Sequence, residues 1–257
     1  TKELGIPVEK LAVTCFAGDE NAPKDEESAE IWKSAGIPEN RIFFLGKRDN
    51  WWGPVGSSGP CGPDTEIFYW TGEGEPKDIN SAENCNEWVE IWNNVFMQYE
   101  KTPEGKYIPL KQKNVDTGMG VERTTAVLNG KKSVYETDAF LEIYKRVSEL
   151  SASNDEVEKR IICDHIRAST FLLGDQRCIT PSNVDQGYVL RKLIRRAIRK
   201  AKKIGINEPF LVSLSKIIID QYSNDYSELI ENQNFIEKYL SLEEEKFNKI
   251  LNEGQKE

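Results

Sequence analysis

The stretch NVDTGMGVER, Asn114 to Arg123, places a carboxylate, two nearby glycines and an arginine within eight residues. Gly118 and Gly120 let backbone N–H groups approach a ligand with no Cβ in the way, and Arg123, one helical turn further on, can meet a phosphate or stack on a base. Asp116 supplies the opposite charge, suited to an ammonium group. Together these residue types are the chemistry of a nucleotide site. The spacing G-x-G-x-x-R is short, however, and a plain strand-to-helix turn capped by an aspartate produces it too.

Other segments narrow the reading. DNWWGPVGSSGPCGPDTEIFY (Asp49 to Tyr69) and EIWNNVFMQYEK (Glu90 to Lys101) lie upstream, while DHIRAS (Asp164 to Ser169) and PSNVDQGYVLRKLIRRAIRK (Pro181 to Lys200) lie downstream. In these residues, and in this order over nearly the whole chain, the sequence resembles the alanyl-tRNA synthetases, a family of class II aminoacyl-tRNA synthetases. The resemblance implies activation of L-alanine by ATP, with Mg2+, to alanyl-adenylate, and transfer of the alanyl group to the 3′ end of alanine tRNA. Little covalent work falls to side chains in such a reaction. The protein positions reactants and stabilises charge on phosphate oxygens.

Carried over residue by residue, the resemblance makes Asp116 the anchor of the substrate ammonium and Gly118 the place where substrate lies against bare backbone. Trp52 and Val95 become walls of the alanine pocket, while Asn93, Gly120 and Arg123 become ATP contacts. Glu90, with Asn93 in an E-x-x-N pair, becomes a Mg2+ ligand, oxygen donors being suited to that hard cation. A strict pleat argues against the pair, because residues three apart on a strand face opposite sides and need a bend or bulge to reach one ion. Trp51 reads as core. The Gly-rich stretch Gly53 to Pro63 reads as a flexible wall near the ligand and is no Walker loop, since no G-K-[ST] appears. Glycine and serine would still enter an alanine pocket, a methylene or hydroxyl being worth only ~1–3 kcal/mol of discrimination. The family's separate editing domain has no counterpart in these residues, and neither do class II motifs 1 and 2, the second of which carries the arginine that binds the α-phosphate. The segment alone is therefore expected to be inactive, as part of a longer parent for which homo-oligomers are allowed.

Zinc is not expected. Some bacterial relatives carry a Cys/His zinc pattern beginning at the position of Cys61, but here Asp64 stands where the second cysteine would be, and no histidine follows up to Gly74. The five cysteines, Cys15, Cys61, Cys85, Cys163 and Cys178, are odd in number and scattered, so they suggest buried small hydrophobes rather than a disulfide framework. The one histidine, His165, reads as a hydrogen-bonded structural residue.

The partner implied by charge is a polyanion. Net charge is −9, yet the eighteen residues from Gly187 to Ile204 hold eight Lys or Arg and no acid, leaving −17 on the remainder. Such segregation repels polyanions in general while presenting one stripe to them. In YVLRKLIRRAIRKAKKIG, Leu190, Leu193, Ile194, Ala197, Ile198 and Ala201 recur at helical spacing and leave the cations on the other faces. The resemblance makes this helix a grip on the tRNA acceptor stem, through Arg191, Arg195, Arg196 and Arg199, with Asn183 reading the G·U wobble pair from the wide RNA minor groove. Read alone, Asn183 is a helix cap and the helix a solvated basic face. A non-catalytic RNA-binding relative would need the stripe but not Asp116, Arg123 or Trp52.

These residues need a scaffold of two kinds. Aromatic and β-branched residues mark strands at Lys10 to Phe16, Arg41 to Leu45, Thr65 to Trp70 and Val89 to Tyr99, with a surface helix ending near Gly36 between the first two. Helical periodicity takes over after Gly118. The expected architecture is α+β, an antiparallel sheet of class II synthetase type (residues 1–135) followed by a mostly helical tRNA-recognition domain (residues 136–257). No apolar run is long enough to span a bilayer and no signal-peptide pattern opens the chain, so a cytoplasmic location is expected.

Overall fold

The aromatic runs of the first half pair with one another across Gly- and Pro-bearing turns. The structure is a computed structural model and describes residues 1–79 and 87–253, so Cys85 lies outside the described residues. Among the described residues, the strands are β1 (Leu11–Phe16), β2 (Ile42–Leu45), β3 (Trp51–Trp52), β4 (Gly59–Trp70), β5 (Trp88–Lys101) and β6 (Tyr107–Met119). They form one mixed, mostly antiparallel sheet of order β2-β1-β4-β5-β6, with β3 added to the free part of β4. Only β1 and β2 pair in parallel, and the chain between them carries α1 (Glu26–Ser34). Asp25 caps that helix by accepting the Ser28 N–H, and Gly36 follows its C-terminus with φ 98°, the left-handed turn for which glycine suits.

Ile6, Leu11, Val13, Ile37, Ile91 and Val127 are buried together under Trp32, Ile67 and Val89, giving the sheet a core on one face. Val127 comes from α2 (Val121–Leu128), which leaves the end of β6 directly. A second, smaller cluster of Ala12, Trp70 and Trp88 is packed by Phe43 and Phe68. Trp51, expected in the core, is half-buried in a cluster of aromatic rings at its edge. Its ring lies 5.3 Å from that of Phe16, 5.8 Å from Tyr99 and 5.6 Å from Tyr107, with the Lys47 ammonium 4.3 Å above it.

Two local expectations change. The Gly-rich stretch is a loop only as far as Ser58, because Gly59 to Pro63 already belong to β4. Gly62 is required there by the neighbouring strand, since a Cβ would stand 1.9 Å from the Phe96 carbonyl oxygen. The second change is β6 itself, whose sequence YIPLKQKNVDTGM shows no alternation. It is nonetheless paired with β5 from Trp92↔Met119 to Lys101↔Tyr107.

Residues Thr1–Thr137 and Asp138–Glu257 form two compact units. The second is helical: α3 (Asp138–Leu150), α4 (Glu156–Gly174), α5 (Asp185–Lys203), α6 (Leu211–Tyr222), the short α7 (Glu228–Glu231) and α8 (Gln233–Glu253). Ile162, Ile166 and Leu173 of α4 are fully buried with Leu190, Ile194 and Ile198 of α5 and Leu211 and Leu214 of α6. Thus the apolar face expected of α5 is the face that packs. Glu244, buried on α8, accepts the N–H groups of Phe210 and Leu211 and so satisfies donors at the start of α6 that would otherwise be orphaned. Among the described residues, no helix is long and apolar enough to cross a membrane.

Candidate functional site

The pairing of β3, β4, β5 and β6 decides which side chains share a face, because directly paired residues point the same way. Asp64, Val95 and Asp116 form one row across three strands, and Glu66, Asn93 and Gly118 form the adjacent row. Trp52 pairs with Gly62, two residues before Asp64, and so joins this face from β3. Asp116 is exposed and lies within β6. It does not cap α2, whose N-cap is Gly120.

The difficulty of Glu90 and Asn93 is resolved by a bulge. Phe68 pairs with Glu90 whereas Ile67 pairs with Trp92, so Ile91 is an extra residue in β5. Ile91 drops into the core, and the alternation restarts with Asn93 on the same face as Glu90. The same irregularity receives the strand-to-helix junction, for the Gly120 N–H donates to the Ile91 carbonyl at 3.0 Å. Arg123, in the first turn of α2, donates to Glu90 Oε2 at 2.8 Å and to the Glu90 carbonyl at 3.2 Å.

Gly118 has nothing within 4 Å of where a Cβ would stand, and its φ is not in the left-handed region. Among the described residues, neither backbone strain nor packing demands glycine at this position, and the space beside it is open. At Gly120 a Cβ would come 3.5 Å from the Arg123 side chain, an ordinary contact.

Beside this pair lies a carboxylate network that sequence reasoning missed. Asn50, fully buried, donates to Thr14 Oγ1 at 2.8 Å and to Asp64 Oδ1 at 2.9 Å. The Asn93 amide donates to Glu66 Oε1 at 3.1 Å, and its own Oδ1 is buried without a partner. Burial, opposed by the Asn50 and Asn93 hydrogen bonds, pushes the Asp64 carboxyl up to about 6. Burial, reinforced by Glu90, Asp64 and Asp49, pushes Glu66 up to about 8. Desolvation and like charge both disfavour the carboxylate and favour the protonated form of Glu66. The signal in the sequence was the alternation of Asp64 and Glu66 in PDTEIFY, two acids on one face of a strand otherwise built from apolar residues. Among the described residues, no group of three or more His, Cys, Asp and Glu is arranged to hold a metal.

In the helical unit the basic stripe divides into three parts. Arg191 and Arg195 turn inward to Glu243 of α8, whose Oε1 stands 3.5 Å and 2.5 Å from their Nε atoms. Arg196 and Arg199 are exposed, as is Lys192. Lys200 and Lys203 both pair with Glu158 of α4. Asn183 is exposed in the loop before α5 and does not cap it, since Val184 occupies the cap position. His165 is buried with Nδ1 3.0 Å from Asp164 Oδ2. Cys15, Cys61 and Cys163 are buried, whereas Cys178 is exposed.

The family described as tRNA synthetases class II (A) matches residues 1–257. This chain belongs to the class II tRNA synthetases of the alanyl type. It is 52% identical over 261 residues to the alanine–tRNA ligase of Borrelia garinii subsp. bavariensis, covering 99% of this chain and 44% of the relative. To the alanine–tRNA ligase of Treponema denticola it is 53% identical over 242 residues, covering 91% of this chain and 40% of the relative. For that of Treponema pallidum the identity is 50% over 262 residues, with 99% and 43% covered. The chain thus spans about two-fifths of the length of these relatives.

Proposed function

We propose that this chain forms the alanine- and adenylate-binding part of an alanine–tRNA ligase, together with a helical module that binds alanine tRNA. The observation that carries the reading is the face on which β3 to β6 collect Trp52, Glu90, Asn93, Val95, Asp116 and Gly118, with Arg123 held to Glu90. Asp116 accepts the substrate ammonium, a charge-assisted contact that also orients the nucleophilic carboxylate. Val95, between Asp64 and Asp116 in its row, is a floor for the methyl group, and Trp52 is the aromatic wall that clashes with larger side chains. The open seat at Gly118 takes the adenylate against bare backbone, and Gly120 and Arg123 complete the ATP contacts. In this reading Arg123 exchanges part of its bond to Glu90 for the nucleotide.

Mg2+ fits the donor set, as Glu90 offers a carboxylate and the Asn93 amide oxygen is a buried acceptor in need of a partner. The ion would neutralise charge on the ATP phosphates. In the helical module, Arg196 and Arg199 meet RNA phosphates on the exposed side of α5, and Asn183 reads a base edge in the acceptor stem. Arg191 and Arg195 are assigned instead to holding α5 against α8.

The test is alanine-dependent ATP–pyrophosphate exchange by the full-length protein. Exchange with alanine well above that with valine or leucine is the expected result, and equal exchange with all three would refute the pocket. Residues 1–257 by themselves are expected to remain at background, since the arginine that the family uses at the α-phosphate is not among them. Measurable exchange by this segment would contradict that expectation.

A further inference from the structure

Arg191 looks like a phosphate ligand in the sequence, but it is bonded on both of its sides. Its Nη1 donates to Asn183 Oδ1, and its Nη2 donates to the Pro181 carbonyl at 2.9 Å. Behind it stands Glu243, whose side chain is only 6% exposed; its Oε1 accepts from the Arg195 Nε and lies 3.5 Å from the Arg191 Nε, an ion-pair contact without a hydrogen bond. The loop that bears Asn183 is fixed independently. Ser182 N–H donates to the Gly187 carbonyl at 2.9 Å, the Ser182 hydroxyl donates to the Val184 carbonyl at 2.9 Å, and a Cβ on Gly187 would sit 2.3 Å from Ser182 Oγ. Loop and helix therefore close on each other with no room for slack.

A guanidinium has donors only, so the Asn183 atom it meets is the carbonyl oxygen, and the two amide N–H groups are left to face outward. We propose that Arg191 and Glu243 are positioning residues for RNA reading. They hold Asn183 with its oxygen engaged and its donors presented, so that the RNA atom it recognises is a hydrogen-bond acceptor on the minor-groove edge, such as uracil O2 or purine N3. The A-form minor groove is shallow enough for an asparagine at a helix entrance to touch these atoms. Glu243 supplies the negative charge that keeps two arginines together at one end of the basic helix, and it removes them from the pool of phosphate contacts. This assignment rests on Asn183 being an RNA contact, as proposed above.

The experiment measures binding of two acceptor-stem hairpin RNAs, one with an unmodified G·U pair and one with 3-deazaguanosine and 2-thiouridine at that pair, which removes or weakens its minor-groove acceptors, by the full-length protein over a range of salt concentrations. Discrimination between the two by the unchanged protein should be roughly tenfold or more, the worth of one good base-edge contact. Asn183→Ala and Asn183→Asp should both bring the ratio close to one, the second because aspartate keeps the bond to Arg191 but has no N–H donors. Arg191→Met should lose the ratio equally, the double variant Arg191→Met/Asn183→Ala should lose nothing more, and the salt slope should stay as in the unchanged protein. Glu243→Gln, which preserves shape, should lower the ratio severalfold and serves as the second variant if Arg191→Met folds poorly. An Arg191→Met protein that keeps the ratio but binds both hairpins more weakly, with the salt slope reduced by about one, overturns the proposal and makes Arg191 a phosphate ligand. An Asn183→Ala protein that keeps the ratio overturns the RNA-contact reading of Asn183, and the proposal with it.

Discussion

Replacing Glu66 by Gln should make the sheet unit more stable in mild alkali while changing little near pH 5. The carboxyl of Glu66 is pushed from its ordinary 4.5 to about 8, first by burial and then by Glu90, Asp64 and Asp49. A carboxyl that holds its proton more tightly when folded contributes stability that is complete below its unfolded value and is lost as pH rises through its folded value. The window for Glu66 therefore runs from about pH 4.5 to about pH 8. Asp64, raised from 3.8 to about 6, contributes the same sign and has largely titrated by pH 7. Between pH 6.5 and 8.5 Glu66 is thus the main carboxyl that changes. At ~1.4 kcal/mol per pH unit, the part of its window above pH 6.5 amounts to at most ~2 kcal/mol, and partial hydration of a half-buried side chain reduces this to about 1 kcal/mol. All six tryptophans lie in the sheet unit, so urea unfolding followed by tryptophan fluorescence reports on that unit. With a urea dependence of roughly 1–2 kcal/mol per molar, the unchanged protein should lose ~0.5–1 M in midpoint over this range, and Glu66→Gln should lose clearly less. Gln keeps an acceptor for the Asn93 amide, so the comparison isolates the proton. Parallel pH dependence in the two proteins would refute the account of a protonated Glu66.

Two packing predictions follow from single contacts. Gly62→Ala drives a Cβ to 1.9 Å from the Phe96 carbonyl oxygen, backbone against backbone, so it should cost more than ~3 kcal/mol and abolish the cooperative tryptophan transition, while the helical signal of α3 to α8 in circular dichroism persists. Glu244→Ala removes the acceptor of the Phe210 and Leu211 N–H groups and should lower the stability of the helical unit by about 1–2 kcal/mol, seen as faster hydrogen exchange at the start of α6. A wild-type exchange pattern there would show that the cap is dispensable.

Where local residue preference and final environment agree, the fold was legible. The apolar face of α5 was visible because Leu190, Ile194 and Ile198 recur at helical spacing and are buried at that spacing. β1 and β5 were visible through their aromatic and β-branched residues. β6 was not, because Pro109, the lysines and exposure along nearly its whole length erase alternation, and its extended form comes from pairing with β5. The bulge at Ile91 was anticipated only as a requirement of the Glu90–Asn93 pair, since nothing in EIWNN marks which residue is extra. In α5 the cations look alike along the sequence. What separates Arg191 and Arg195 from Arg196 and Arg199 is Glu243, some fifty residues away on α8, a long-range pairing that helical periodicity cannot express. Asp64 and Glu66 were passed over for a similar reason, because their altered proton affinity arises from Asn50, Asn93 and Glu90 brought together by the sheet.

In the proposed function Asp116 anchors the amino group of the substrate on the face that also carries Gly118, Val95 and Trp52. Calorimetric binding of a non-hydrolysable alanyl-adenylate analogue to the full-length protein and to its Asp116→Asn variant tests it most directly. A loss of about 2–3 kcal/mol, some thirty- to a hundred-and-fiftyfold in affinity, is expected, because a charge-assisted bond to the ammonium is replaced by a neutral one, with binding of alanine tRNA left unchanged. Equal affinity of the two proteins for the analogue, or an equal loss of analogue and tRNA binding, would contradict it.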